Sequence, residues 1–331
     1  MIEVIAPGAL STVQDVGRAG HAAEGFPECG ACDKYAMALA NLLCGNTDCL
    51  HTAVLEMTLM GATLRAQRSM LAALTGAQAA STINGQSVPM NRPFLMKAGD
   101  VLEIGAFSSG LRGYLAVSGG FDVPAVLGSR ATDVKSRIGG LEGRALRAGD
   151  TLPVGQGDAS ARRLSALLRG ADAIAQKPWL LRPSTPQGFL GEAVLPLLRA
   201  VPGPQDEAFT AEGLHTFTHG VYTVSPDSGR MAARLSGPAV ASLRGSDILS
   251  DGIVEGSVQI AANGQPIVML ADHQTTGGYA KIATVLPCDL PTLAQTRPGA
   301  PVAFRFVTPA GGMQALRLER SKWSYMKEQM S

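Results

Sequence analysis

The pattern of apolar residues predicts one amphipathic helix in the first fifty residues. After Asp33, apolar side chains recur at the i, i+3, i+4, i+7 spacing, at Ala36, Leu39, Ala40 and Leu43. This spacing places them on one face of an α-helix. Asp33 is a residue type that caps helix N-termini, and Gly45 follows the last apolar position, so we expect the helix to lie between these two residues.

Most of the remaining chain has the pattern of short strands separated by turns. The Asn84-Gly85 and Asn263-Gly264 dipeptides are hairpin signals, because both residue types tolerate the backbone conformation of a tight turn. Ala98-Gly99-Asp100 and Ala148-Gly149-Asp150 each precede alternating apolar residues, as a turn before a strand does. Neither half shows the strand–helix alternation of a parallel α/β sheet. The sequence therefore predicts a mainly β protein built of barrels or barrel-like sheets.

A change of composition divides the chain into two β-rich parts. Residues 160–176 are rich in Ala, Leu and Arg and favour a helix, and residues 177–187 contain three prolines. We therefore expect four segments along the chain. They are a first β-rich subdomain at 1–155, a helical, proline-containing linker at 156–190, a second β-barrel subdomain at 191–310 and a C-terminal tail at 311–331.

Charge and cysteine content exclude several classes of protein. The 28 Lys+Arg and 27 Asp+Glu residues give a formal net charge of +1, whereas a nucleic-acid-binding domain usually carries a basic face. The chain opens without the basic and apolar regions of a secretory signal, and no run of about 18 apolar residues is present. Five cysteines do not suggest a disulfide framework. We expect a cytoplasmic protein without nucleic-acid or membrane partners.

Several familiar catalytic motifs are missing from the sequence. It contains no G-x-x-x-x-G-K-[ST] phosphate loop, no G-x-G-x-x-G after a strand and no H-E-x-x-H motif. Cys29-x-x-Cys32, followed by Cys44 and Cys49, does not match a common zinc spacing, so we expect semi-buried thiols and no metal site. The Met-Lys-Met context of a biotin attachment site is also missing.

Polar residues concentrate in three glycine-flanked segments. The first runs from Thr12 to Asp33 and includes Gln14, Asp15 and Arg18. These groups lie on loops beside a predicted helix N-terminus, where backbone N–H groups favour anions. Two plainer interpretations stay open: Asp33 only caps the helix, and Asp15 and Arg18 form an ordinary loop ion pair.

The second segment, residues 226–238, contains two arginines four residues apart, Arg230 and Arg234. Two guanidinium groups on one face of an element can hold a carboxylate or a phosphate through paired hydrogen bonds. The alternative is that both arginines are solvated on a surface strand.

The third segment comprises residues 250–259, with Gln259, and residues 271–281. A run of hydrogen-bonding side chains that ends at two glycines suits a loop lining a polar pocket. The candidates in this run are Asp272, Gln274, Thr275, Thr276, Tyr279 and Lys281. A desolvated Lys281 would neutralise an anion or carry a proton, and a plain turn with a solvated lysine is the alternative.

Eight stretches of the sequence occur in the order expected of one protein family. They are TVQDVGRAGH, GFPECGACDKYAMALANLLCGN, AVLEMTLMGATL, YLAVSGGFDVPAVLGSRATD, IGGLEGRALRAGD, GRMAARLSGP, SDGIVEGSVQIAANGQPIVMLADHQTTGGYAKIATV and LAQTRPG. Through these stretches, over about residues 5–307, the chain resembles the biotin-dependent carboxyltransferase family. This family includes the C subunit of bacterial ATP-dependent 5-oxoprolinase and KipA-like proteins, and it is similar to the second allophanate-hydrolase-type region of urea carboxylase.

The resemblance implies a fold, a reaction and partners. The implied fold is a pair of cyclophilin-like β-barrel subdomains with a few short helices. The implied reaction is the opening of a small anionic lactam, 5-oxo-L-proline, to L-glutamate, in a complex with a KipI-like B subunit, an A subunit, and ATP with Mg²⁺. We expect catalytic roles for Lys281, Asp33 and Asp272. We expect substrate-binding roles for the other candidates, Gln14, Asp15, Arg18, Arg230, Arg234, Gln259, Gln274, Thr275, Thr276 and Tyr279.

Two other functions stay open beside this one. One is carboxyl transfer from carboxybiotin to a urea-like amide, and the other is a KipA-like regulatory protein that sequesters a KipI-like kinase inhibitor. Departures from the family pattern leave the exact substrate open. Phe26, Cys29 and Cys32 replace Val, Ser and Met, Gly229 and Ala232 replace Asp and Gly, and His273 stands where arginine is frequent.

Overall fold

The computed structural model describes residues 1–170, 184–190 and 193–330, and most of its regular elements are strands. The chain divides into two compact units. The first comprises Met1–Ala19, Cys29–Arg182 and Lys327–Ser331, and the second comprises Gly20–Glu28 and Pro183–Met326. Each unit has its own sheet and its own hydrophobic core. The mainly β fold that the sequence predicts is confirmed.

A curled sheet of nine strands forms the first unit. Its strands are β1 (Ile2–Ala6), β2 (Leu10–Gln14), β3 (Val54–Thr58), β4 (Thr63–Ala66), β5 (Met70–Ile83), β6 (Gln86–Ser87), β7 (Pro93–Met96), β8 (Val101–Val117) and β9 (Thr151–Leu152). Its helices are α1 (Lys34–Leu43) and α2 (Ala159–Gly170). The main strand order is β2-β3-β8-β4-β1-β9, and β5 pairs with β6, β7 and β8.

The two longest strands, β5 and β8, give this sheet its curvature. They pair antiparallel from Ala72 opposite Val117 to Ile83 opposite Leu102, and the register shifts repeatedly between Gly76 and Ser81. Such bulges bend a strand and increase its twist. The apolar side chains of the curled sheet pack into one core that includes Leu55, Leu74, Phe107, Leu115 and Val117.

The helix predicted after Asp33 is confirmed as α1. The Asp33 carboxylate accepts a hydrogen bond of 2.9 Å from the Ala36 N–H and so caps the helix. Gly45 follows the helix with a φ of +71°. The Thr75 hydroxyl on β5 donates to the Ala36 carbonyl at 2.7 Å, which ties the first turn of α1 to the sheet.

The turn predicted at Asn84-Gly85 joins β5 to β6. Both residues have positive φ, 51° and 81°, which is the backbone of a type I′ hairpin turn. In the second unit, Asn263-Gly264 lies in the turn between two paired strands, where Gly264 has a φ of +78°. Both hairpin predictions are therefore confirmed.

A closed barrel of seven strands forms the centre of the second unit. The strands of the unit are β10 (Gln187–Leu190), β11 (Ala193–Pro202), β12 (Val221–Val224), β13 (Ala232–Ser236), β14 (Asp247–Gly252), β15 (Ser257–Ile260), β16 (Pro266–Met269), β17 (Thr276–Tyr279), β18 (Lys281–Val285) and β19 (Pro301–Phe306). The barrel order is β11-β18-β15-β16-β13-β12-β19, and the parallel pair β11–β19 closes it. The strands β14 and β17 form a separate two-stranded ribbon.

Three helices accompany the barrel, α3 (Ala211–His219), α4 (Leu290–Gln295) and α5 (Pro309–Met330). Aromatic and aliphatic side chains fill its core. The rings of Phe217 on α3 and Phe304 on β19 stack with centroids 4.5 Å apart, and Tyr222 packs edge-on against Phe304 at 5.8 Å. Because α3 places an aromatic ring between strand residues, it belongs to the core of this unit.

Two expectations about the segments change in the structure. Residues 311–330, expected as a tail, form most of α5, a helix of 22 residues. Of the helix predicted at 160–176, α2 covers the part to Gly170. Residues 171–183, which include much of the predicted linker, lie outside the described residues, and β10 begins within the linker's predicted bounds.

Among the helices that the structure describes, none combines the length and apolar character needed to cross a bilayer.

Candidate functional site

Three of the four sequence candidates in the first unit, Gln14, Asp15 and Arg18, lie at or just after the end of β2. Asp15 is buried, and its carboxylate oxygens accept three hydrogen bonds. Oδ1 accepts from the Gly17 N–H at 2.9 Å and from the Ser129 hydroxyl at 2.6 Å, and Oδ2 accepts from the Arg130 N–H at 2.6 Å. Asp15 therefore fastens residues 129–133 to the end of β2. We call Gln14, Asp15, Arg18 and residues 129–133 the first polar cluster.

Gln14 in this cluster is buried, and only one of the two polar atoms of its side-chain amide is hydrogen-bonded. Its Nε2 donates to the Thr12 hydroxyl at 3.0 Å and to the Thr132 carbonyl at 3.2 Å. Its Oε1 has no hydrogen-bond partner among the described residues. The side chain thus presents a buried amide acceptor beside the backbone of Thr132.

Arg18 is the largest fully buried side chain of the described residues, with 1% of its surface exposed. Its Nη2 donates to the Ala131 carbonyl, whereas Nε and Nη1 have no partner among the described residues. A Cβ added at Gly139 would lie 2.7 Å from Nη2, so a larger residue at this position would clash with the guanidinium group. The loop ion pair considered for Asp15 and Arg18 is not formed, because each group bonds elsewhere.

A buried carboxylate oxygen lies two residues beyond Ala131. Asp133 accepts from the Lys135 and Ser136 N–H groups through Oδ1, at 3.0 and 3.1 Å, and its Oδ2 has no partner in the described part of the chain. Each buried polar group without a partner costs about 1–3 kcal/mol, and such groups are few in folded proteins, so each one calls for an explanation such as a bound water, an ion or a functional role. The backbone of residues 131–133 therefore gathers a cation, an amide oxygen and a carboxylate oxygen that all retain bonding capacity.

Asp33 belongs to a separate buried network in the first unit. Besides capping α1, it donates its own N–H to the Tyr114 hydroxyl oxygen at 2.8 Å. The Tyr114 hydroxyl donates to Glu56 Oε2 at 2.8 Å, which also accepts from the Cys32 N–H at 2.9 Å. Burial and the carboxylates of Glu56 and Asp33 raise the pKa of Tyr114 well above its usual value. The phenol therefore stays neutral and holds the loop before α1 in place.

In the second unit, Lys281 lies in a compact arrangement at the start of β18. Its side chain is only 4% exposed, and Nζ lies 2.6 Å from Asp251 Oδ2 and 3.0 Å from the Gly252 carbonyl. Gln205 accepts the Lys281 N–H at 3.2 Å and donates to Asp251 Oδ2 at 3.3 Å. The hydrogen bond from Lys281 holds the pKa of Asp251 below its usual value. The alternative of a solvated lysine is therefore wrong.

The two arginines of the second segment occupy different environments. The Arg230 guanidinium binds Asp272 through two parallel bonds, from Nε to Oδ2 at 2.9 Å and from Nη2 to Oδ1 at 2.7 Å. Arg230 is buried, whereas Arg234 lies on β13 with its side chain exposed. Because Asp272 occupies one edge of Arg230, a clamp made of both arginines has no support in these contacts.

The remaining candidates surround the ribbon of β14 and β17. Gln259 is buried on β15 and donates to the Tyr279 carbonyl at 3.2 Å. Gln274, Thr275 and Tyr279 are half-buried, and Thr276 is exposed at the start of β17. A Cβ added at Gly277 would lie 2.7 Å from Gln259 Nε2. We call Lys281, Asp251, Gln205 and Gln259 the second polar cluster.

Sequence reasoning misses several members of these clusters. Asp251 lies inside the third polar segment but is not singled out by its pattern, and Gln205 lies in a different stretch of the chain. Glu56 has a readable signal, since it is a carboxylate inside the apolar strand Val54–Thr58. Ser129 and Asp133 have none, because only the folded chain brings them to β2.

Metal ligands are not grouped in the described residues. No set of three or more His, Cys, Asp or Glu residues lies close enough there to hold a metal ion. All five cysteines are buried, and none of them forms a disulfide. The Cys29-x-x-Cys32 pair accordingly gives no support for a metal in the described part of the chain.

A curled β-sheet and a closed β-barrel, each with a buried polar cluster, define a two-part, mainly β protein. The chain belongs to the carboxyltransferase domain family, subdomains A and B, whose model matches residues 24–306.

The curated relatives agree with this assignment. The chain is 38% identical over 304 residues to the 5-oxoprolinase C subunit of Escherichia coli (strain K12), covering 92% of this chain and 90% of that protein. It is 33% identical over 328 residues to the 5-oxoprolinase C subunit of Haemophilus influenzae, covering 99% and 97%. Both relatives match along nearly their whole length.

Among solved structures, the chain is similar to the urea amidolyase of K. lactis. The TM-score is 0.82 at 27% sequence identity, over 100% of this chain and 20% of that one. The chain therefore corresponds to one fifth of this much longer enzyme.

Proposed function

We propose that this chain is the C subunit of an ATP-dependent 5-oxoprolinase. In this proposal it acts with a KipI-like B subunit and an A subunit in the phosphorylation and hydrolytic opening of 5-oxo-L-proline to L-glutamate. Two relatives that carry the name of the 5-oxoprolinase C subunit, and that match over at least 90% of their length, support the proposal. We further propose that the complex works in the cytoplasm, where five thiols that form no disulfide stay reduced.

The reaction requires a site that recognises both an anion and an amide. A lactam carbonyl is a poor electrophile, and ATP supplies the phosphoryl group that makes the ring carbon reactive toward water. The chain must then hold the substrate carboxylate, orient the ring amide and stabilise charge on the ring oxygen. These needs call for desolvated cations and a polar acceptor.

The observation that carries the proposal is the state of Arg18. A buried guanidinium without a carboxylate partner among the described residues has two N–H-bearing nitrogens left to bond. Hydrogen bonds from a charged donor are worth about 1.5–3 kcal/mol each. We therefore assign Arg18 to the substrate carboxylate and Gln14 Oε1 to the lactam N–H, since amide oxygens accept such bonds.

The second polar cluster holds a buried cation of its own in the second unit. Lys281 is buried, and Asp251 and the Gly252 carbonyl fix its Nζ. We propose that Lys281 neutralises charge that develops on oxygen and delivers or accepts a proton during ring opening. Because the Asp33 and Asp272 carboxylates are engaged by Ala36 and Arg230, we assign both as positioning residues.

ATP with Mg²⁺ is proposed as a substrate of the complex. The sequence has no phosphate loop of the common type, and the described residues show no cluster of metal ligands. We therefore derive no step on this chain through the nucleotide or its metal. The role proposed for the chain is recognition of the lactam and control of charge and protons around it.

A second candidate function is carboxyl transfer from carboxybiotin to a urea-like amide. The family name and the similarity to the K. lactis urea amidolyase favour it. In this case the biotin would be carried by another protein, and the amide recognised would be neutral. Arg18 argues for the anionic lactam over this alternative.

The proposal is tested by purifying the chain with its two presumed partner subunits and measuring ADP release. We expect release that depends on 5-oxoproline and that is lost when any one of the three chains is omitted. Turnover of urea with a biotinylated carrier, without 5-oxoproline turnover, would support carboxyl transfer instead. Tight binding to the KipI-like partner without turnover of either substrate would indicate the KipA-like regulatory role.

A further inference from the structure

The first unit contains a cavity that neither polar cluster uses. Its volume is about 440 Å³, and it lies between the first turns of α2 and the sheet edge around Arg68 and Leu95. This volume is within the range of about 300–1,000 Å³ that small-molecule sites occupy. The size is too large for one ordered water and fits a small organic molecule.

The lining of this cavity is cationic. Arg68 stands on the sheet side and Arg162 on the α2 side, and the described residues that line the cavity include no carboxylate. Three serines complete the polar part of the wall, Ser69, Ser118 and Ser165. Arginines with hydroxyl groups form the donor set that binds phosphate oxygens, and guanidinium groups match phosphate geometry bidentately.

Arg68 is held in place with donors to spare. Its Nη2 donates to the Val154 carbonyl at 3.1 Å and to the Gly155 carbonyl. No hydrogen bond of Nε or Nη1 and no ion pair of Arg68 is formed with any described residue. A half-buried guanidinium that is fixed by carbonyls and lacks a carboxylate is preorganised for an anion, because little side-chain entropy remains to be lost.

The carboxylate nearest in sequence does not neutralise this wall. Asp158 precedes α2 and is engaged elsewhere. Its Oδ1 accepts from the Ala161 N–H at 3.0 Å, and its Oδ2 accepts from the Thr47 hydroxyl at 2.9 Å. No carboxylate among the described residues of the cavity therefore compensates the positive charge of the two arginines.

We propose that this cavity is a binding site for a small phosphate-bearing molecule, held by Arg68 and Arg162 with the serine hydroxyls. The site is separate from the first polar cluster, and the proposal does not depend on the reaction that the chain performs. It assigns to the α2 side of the first unit a recognition role that the lactam chemistry does not require.

Calorimetric titration of the full chain with inorganic pyrophosphate tests this proposal, with no partner protein or 5-oxoproline present. We expect saturable binding at one site, weakened at least about tenfold by Arg162→Gln, the factor that corresponds to ~1.4 kcal/mol. Arg68→Gln should act in the same direction. The matched control is Arg163→Gln, because Arg163 is the next residue on α2, is exposed and does not line the cavity.

Two kinds of result would contradict this proposal. Lack of binding by the wild-type chain, or an equal loss in Arg162→Gln and Arg163→Gln, would overturn the proposal. Citrate binding as tightly as pyrophosphate would overturn the assignment to phosphate. Thermal denaturation of each variant verifies folding. Because Arg162 is exposed, we expect Arg162→Gln to fold, so this variant tests the proposal even if Arg68→Gln does not fold.

Discussion

Lys281 and Asp251 form an ion pair in which the cation is buried and the anion is exposed. Nζ and Oδ2 are 2.6 Å apart, and the side chains are 4% and 54% exposed. The buried ammonium group of Lys281 thus lies beneath the solvent-exposed carboxylate of Asp251. Such an arrangement keeps Lys281 fixed in place while Asp251 remains free to exchange its bond with water or substrate.

Substitution of Lys281 tests its proposed role in proton and charge control. Lys281→Met fills a similar volume without the charge, so we expect a folded chain and a loss of complex turnover of about a hundredfold or more, as for general acid–base groups. Asp251→Asn keeps the Gly252 contact of Nζ, and we expect a smaller loss. The measurement is 5-oxoproline-dependent ADP release, and unchanged kcat in Lys281→Met would contradict the assignment.

The same pair predicts a pH dependence of stability. The bond from Lys281 lowers the folded-state pKa of Asp251 from its usual 3.8, so the pair stabilises the fold above about pH 4 and this contribution is lost as the pH falls through the lowered pKa. We expect the difference in unfolding free energy between wild type and Asp251→Asn to shrink on acidification. A constant difference down to low pH would contradict the pairing, and Lys281→Met should remove the effect.

Two substitutions of Asp33 distinguish a helix-capping role of its carboxylate from a catalytic role. Asp33→Ala removes the bond to the Ala36 N–H, so we expect a loss of about 1 kcal/mol in the free energy of unfolding. Asp33→Asn retains an N-cap acceptor and should keep both stability and turnover. A folded Asp33→Asn complex that lost turnover would instead assign the carboxylate to catalysis.

The cysteines should be unreactive while the chain is folded. All five are buried, and burial raises the pKa of the Cys288 thiol to about 11 and raises those of Cys44 and Cys49. The reactive thiolate is therefore scarce at mildly alkaline pH. We expect a disulfide reagent to label less than one thiol quickly in the native chain and all five in denaturant. Rapid native labelling would contradict the burial.

Local signals in the sequence were sufficient for the elements that depend on local geometry. The helix α1 follows from the spacing of Ala36 to Leu43 and the cap at Asp33, and the Asn84-Gly85 turn follows from residues that adopt positive φ. The family resemblance then supplied the two-part β architecture. The expectation of a tail after residue 310 was wrong, since apolar Met313, Leu316, Trp323 and Met326 recur there at helical spacing and lie on α5.

The sequence predicted which residue types form the candidate site, but it did not predict which residues bond to each other. Arg18 and Lys281 could be singled out from polar runs, but the Arg18 partner Ala131 lies 113 residues away and the Lys281 partner Asp251 lies 30 residues away. Such pairings depend on strand register, which propensity does not encode. The sequence likewise suggested a clamp made of Arg230 and Arg234, whereas in the structure Arg230 forms an ion pair with Asp272.

The measurement that tests the account most directly compares 5-oxoproline with 2-pyrrolidinone, the same lactam without a carboxylate. Both are assayed by ADP release in complexes that contain wild-type chain, Arg18→Gln or Arg18→Lys. The wild type should strongly prefer 5-oxoproline. We expect Arg18→Gln to reduce the ratio of the two kcat/KM values at least about tenfold, from the loss of a charged hydrogen bond of ~1.5–3 kcal/mol, and Arg18→Lys to restore part of it. An unchanged ratio in a folded, assembled Arg18→Gln complex would contradict the assignment of Arg18 to the substrate carboxylate.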